Sequence, residues 1–103
     1  MGRAKPVILS TRTFATQGAA QTYFSEMLAR YTPGDRVLPE DAADLEQLLQ
    51  RHPKAASKIG VGIDHFELQE AEYETQCFRV VRVDDTWESF SYHPCVAPDR
   101  KWD

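Results

Sequence analysis

Long apolar runs are missing from this 103-residue chain: near its start the stretch Val7-Ile8-Leu9 ends at Ser10. That is far short of a signal-peptide core and of the ~18 residues a spanning helix needs, so a cytoplasmic protein without membrane contact is expected. Pro6 stands where an N-myristoylation signal wants Ser or Thr. Cysteine is scarce. Cys77 and Cys95 are too few for a disulfide framework and lack a C-x-x-C spacing, so free thiols are expected, with a single bridge left open. An excess of positive charge is also absent: 12 basic against 16 acidic residues leave a net charge of -4. This is not the overall footprint of a nucleic-acid binder, although it leaves room for a local basic patch.

The familiar catalytic and cofactor signatures are lacking too. There is no P-loop, dinucleotide fingerprint, H-E-x-x-H, Ser/His/Asp order or paired-carboxylate motif, so no catalytic residue and no cofactor is assigned. His52, His65 and His93 share no finger or i,i+4 spacing with each other or with the cysteines, and no metal site is expected. Repeats, low-complexity runs and linkers are absent, so one domain over residues 1–103 is expected. At 42% hydrophobic and 27% charged residues, that domain is globular and can bury a core of its own.

What is present has a clear order. Val7 to Thr11 reads as a short strand after Pro6. From Thr16 the apolar residues fall four apart (Ala19/Ala20, Tyr23/Phe24, Met27/Leu28, Tyr31), which makes one face of a helix stopped by Pro33-Gly34. Pro39-Glu40-Asp41 opens a second helix with Leu45, Leu48 and Leu49 on one face, ended by His52-Pro53. Pro53 to about Lys58 forms a third, short helix, released by Gly60 and Gly62. Asp41, Asp44 and Glu46 read as a solvated face. The period then changes to two. Phe66 and Leu68 share one strand face, Cys77 to Val83 is a central strand with apolar residues on both faces, and Asp84-Asp85-Thr86 turns into a strand from Trp87 through Tyr92. The tail from Pro94 on is mixed. The expected fold is α+β, with N-terminal helices packed on one side of a small antiparallel C-terminal sheet.

Four ordered motifs, His52-Pro53 with Lys58-Ile59-Gly60-Val61-Gly62-Ile63, then Cys77-Phe78-Arg79-Val80-Val81-Arg82-Val83-Asp84, then Phe90-Ser91-Tyr92, then Cys95-Val96, resemble the DCL family. The likeness runs over residues 14–96. It implies a domain without an established catalytic residue, tied through its relatives to RNA metabolism: maturation of chloroplast ribosomal RNA, and the end of the largest subunit of a plant-specific RNA polymerase. Asp85 stands where the family usually has a turn glycine, and Pro94 where a basic residue often precedes the cysteine, which removes a positive charge from that spot.

The candidate ligand patch is Arg51, His52, Lys54, Lys58, Gly60 and Gly62, where cations adjoin a glycine turn whose N–H groups could face a phosphate. The bland alternative is helix termination with ordinary surface cations. Arg79 and Arg82 lie on opposite faces of one strand by period two, so only one joins any single surface unless a bulge intervenes. If that one faces out beside Tyr92 or Trp87, the pair forms a platform for stacking single-stranded bases; otherwise the aromatics are core. His52 is expected to cap or pack at the helix end, helped by the helix dipole. The leading expectation is a non-enzymatic binding module, monomeric by default, whose partner is RNA or an RNA-processing or transcription complex. The rivals are a protein adaptor, which would ignore RNA and expose an apolar patch, and a small metal-independent ribonuclease using His52 or His65 with Lys58.

Overall fold

The computed structural model describes residues 6–71 and 75–97. The basic start at residues 1–5 and the end of the mixed tail, residues 98–103, lie outside them. The chain opens with two short antiparallel strands, β1 (Val7–Ile8) and β2 (Thr13–Phe14), in place of one strand running to Thr11. Helix α1 (Gln17–Ala29) follows, capped by Thr16, whose hydroxyl accepts from Ala19 N at 3.0 Å. It ends four residues before the Pro33-Gly34 stop, because Tyr31 leaves the helix to donate to Asp41. Helix α2 (Pro39–Leu49) carries Pro39 at its first turn beside Glu40 and Asp41, as its sequence signals require. Helix α3 (Ala55–Ile59) starts two residues later than Pro53.

Strands β3 (Ile63–Glu70), β4 (Gln76–Arg82) and β5 (Trp87–Phe90) form an antiparallel sheet in the order β3-β4-β5, so the strand with apolar residues on both faces is the central one. The register Phe66↔Val80, Leu68↔Phe78 and Phe78↔Phe90 gathers these five side chains on one face, where the Phe90 ring lies 5.8 Å from Phe66 and 5.9 Å from Phe78. Against them pack Ala20, Phe24 and Met27 of α1 and Leu45, Leu48 and Leu49 of α2, all fully buried. The expected α+β arrangement, helices on one side of a C-terminal antiparallel sheet, is the one found.

Two further features depart from the sequence expectations. The last strand stops at Phe90, and Ser91 caps a further short helix, α4 (Tyr92–Val96), by accepting from His93 N. Tyr92 therefore belongs to a helix and not to the hairpin. Asp44 is also not on a solvated face, since only 1% of its surface is exposed. Both its oxygens accept from Arg12 Nε at 3.1 Å, and Tyr23 Oη donates at 2.6 Å. Burial would raise the Asp44 carboxyl, but hydrogen bonds from Thr11, Tyr23 and Arg12 outweigh it and hold the group below the usual range. Tyr23, half-buried and facing that charge, is pushed up to about 12. Among the described residues no helix is long and apolar enough to cross a membrane.

Candidate functional site

The connection from α2 to β3 holds most of the sequence-predicted patch, and two of its three cations, Arg51 and Lys58, bond within the fold. Arg51 donates from Nε to the Cys95 carbonyl at 2.8 Å and from Nη2 to that of Val96 at 3.1 Å, tying the end of α2 to α4. Lys58, with 14% of its side chain exposed, reaches Glu88 at 3.1 Å and the Ser89 carbonyl at 2.9 Å on β5. Arg82 lies across the end of α3, donating to the carbonyls of Lys58 at 3.0 Å and Ser57 at 3.2 Å and pairing with Glu88 at 2.5 Å. Glu88 thus neutralises two of the patch cations, and they in turn hold its carboxyl below the usual range, Lys58 foremost. Lys54 is exposed, and no ion pair of its ammonium occurs among the described residues.

The glycine turn is built for close packing. Gly60 has φ +54°, and a Cβ there would sit 3.0 Å from Cδ and Nε of Arg82. Its N–H donates to Ala56 O at 2.9 Å, and that of Gly62 donates to Ile59 O at 2.9 Å. His52 accepts from Lys54 N through Nδ1 at 2.9 Å. Burial, followed by the charges of Lys58 and Lys54, keeps its pKa low, so the ring at neutral pH is the neutral form and gains nothing from a helix C-terminus. The help expected from the helix dipole is therefore not what positions His52.

Arg79 takes the other face of the sheet, as period two requires. It pairs with Glu67, and its guanidinium lies 4.7 Å from the centre of the Trp87 ring. None of His65, Glu67, Cys77, Arg79, Val81, Trp87 or Ser89 on this face belongs to the core cluster. Trp87 is 50% exposed. The structure therefore places Arg79 beside Trp87, while Tyr92 packs against the core with its ring 4.2 Å from that of His93.

How His65 is held has no local signal in its sequence neighbourhood. It follows an extra residue, Asp64, where the β3–β4 register shifts, and its two ring nitrogens lie 2.6 Å from carboxylate oxygens of Asp64 and Glu67. Burial opposes charge on the ring, but these two hydrogen bonds outweigh it and raise the pKa. A groove of about 430 Å³ opens beside it between Leu38, Pro39, Ala42 and Glu46 on one side and Ile63 to Phe66 on the other. Both cysteines are free thiols whose pKa burial raises, Cys95 to about 12, which keeps them protonated at neutral pH. Among the described residues no group of three His, Cys, Asp or Glu could hold a metal ion.

A family model described as "Protein of unknown function (DUF3223)", the DCL-type domain, matches residues 25–96. The chain belongs to this family. It is 35% identical over 71 residues to DNA-directed RNA polymerase IV subunit 1 of Arabidopsis thaliana, covering 68% of this chain and 5% of that one. It is 36% identical over 70 residues to Protein DCL homolog, chloroplastic, of the same plant, covering 65% of this chain and 32% of the relative. The chain thus spans about a third or less of these two curated relatives. A solution NMR structure of an uncharacterized protein from Rhodospirillum rubrum is similar throughout, at 44% identity and TM-score 0.83, covering 92% of this chain and 91% of that one.

Proposed function

We propose that this DCL-type domain is a non-enzymatic adaptor, a module that joins an RNA-associated assembly by contacting protein. The observation that carries the reading is the commitment of Arg51, Lys58 and Arg82 to carbonyls and to Glu88 within the fold. A module that grips phosphates needs cations free to release counterions, and a net charge of -4 opposes one without them. Exposed apolar side chains, Trp87 among them, supply what an adaptor needs instead. The occurrence of a similar segment as a small part of a polymerase subunit supports a module that serves larger proteins.

A second reading is favoured by one observation. Arg79 over Trp87 is a cation and a half-exposed ring on the sheet face away from the core cluster, the arrangement on which single-stranded bases stack. The two are separated by fluorescence anisotropy of a labelled single-stranded RNA pool titrated with the protein in EDTA at low and moderate salt. The adaptor gives no binding at either salt and leaves the RNA intact. Binding that disappears in Trp87→Ala would establish the stacking platform and overturn the adaptor; cleavage lost in His52→Ala would establish the nuclease.

A further inference from the structure

The β4–β5 hairpin combines two properties that seldom coincide at a turn. Among the described residues five large apolar side chains are exposed, Ile8, Leu38, Val61, Val83 and Trp87, and three of them belong to this turn or to the segment bonded to it. Val83 and Trp87 flank the turn, at 59% and 50% exposure. Val61, at 65%, precedes Gly62, whose backbone is held against the turn: Val83 N donates to Gly62 O at 3.0 Å and the Val83 methyls lie 3.9 Å from the Gly62 Cβ position.

Between the two apolar flanks stand Asp84 and Asp85. Asp84 accepts from Thr86 N at 3.1 Å and from Thr86 Oγ1 at 2.5 Å, which lowers its pKa and fixes the carboxylate in place. Asp85 occupies the left-handed region at φ +72°, a conformation in which Asp is tolerated and most residues are not. No cation forms an ion pair with either among the described residues: Arg82 donates to Thr86 Oγ1 at 3.0 Å and its charge helps to lower Asp84, but its own ion pair is with Glu88, as is that of Lys58, while Arg79 pairs with Glu67. The tip is therefore apolar and negatively charged at once. Phosphate is repelled by such a surface, whereas a chain segment with lysine or arginine beside apolar residues matches it in both respects.

We infer that the hairpin tip, Val83 to Trp87 with Val61 beside it, docks a basic, apolar-anchored segment of a partner protein. This deepens the adaptor reading and rests on it. The test is an NMR titration of the isotope-labelled full chain with a short peptide alternating leucine and lysine, its leucine-glutamate counterpart, and single-stranded RNA. The lysine peptide shifts the amides of Val61 and of Val83 to Trp87, the shifts weaken with salt, and the glutamate peptide leaves them in place. Asp84→Asn with Asp85→Asn keeps the Thr86 contacts and the left-handed turn, and loses ~3–10-fold in affinity for the lysine peptide. Equal response to both peptides, or lysine-peptide shifts confined to the acidic positions of α2, overturns the inference while leaving the adaptor reading intact. RNA shifts at Trp87 overturn both.

Discussion

Asp44 shows how far one residue's surroundings can depart from its sequence neighbourhood. Its neighbours Glu40, Asp41 and Glu46 make an acidic run, yet Asp44 points inward from α2 toward Arg12 and Tyr23, residues 32 and 21 positions away. Nothing local signals that meeting, because it depends on how the β1–β2 turn and α1 dock. Replacing Asp44 with Asn keeps the volume and removes the charge, and is expected to cost about 1.5–3 kcal/mol in urea unfolding at neutral pH. The pH dependence follows from the direction of the shift. A carboxyl held below its unfolded value contributes stability that is fully present above the ordinary carboxylate range and is lost as pH falls through the lowered folded value. The acid limb of the stability curve should therefore be shallower in Asp44→Asn than in the parent, and limbs of equal slope would show that Asp44 carries no such linkage.

At the scale of elements, what could be read was periodic and what could not was made by contacts distant in sequence. The leucines of α2 and the Ala/Phe/Met face of α1 declare themselves by spacing, and Phe66, Leu68, Phe78 and Val80 by alternation. Helix α4 escaped because Tyr92-His93-Pro94-Cys95-Val96 is too short to show a period. Its local signals are Ser91 as a cap and Pro94 in the first turn, which compete with the strand pattern that runs into Tyr92. The helix is then secured from outside by Arg51, whose guanidinium satisfies the carbonyls of Cys95 and Val96. Arg51→Ala is expected to lower stability by about 1–3 kcal/mol, with hydrogen exchange rising first in residues 92–97. Unchanged exchange there would mean that α4 is held by its apolar contacts with the core alone.

For the whole molecule, charge arithmetic was more informative than the local patch. The run from Arg51 to Gly62 gathers cations in sequence, but partners in space decide what a cation does, and Glu88 lies 30 residues from Lys58. Family membership was legible from four motifs in order, and those motifs coincide with residues that shape the fold, Lys58, Gly60 and Arg82 among them, which is why they name a family more readily than an activity. The claim that these cations serve the fold is tested most directly by urea unfolding of Lys58→Glu beside Lys54→Glu. Lys58→Glu loses two contacts and sets a carboxylate against Glu88, a cost of about 1–2 kcal/mol given the exposure of Glu88, while Lys54→Glu is expected to change stability by no more than about 0.5 kcal/mol. Equal stability of both variants and the parent would contradict the claim and return the loop to the list of surfaces free to meet a ligand.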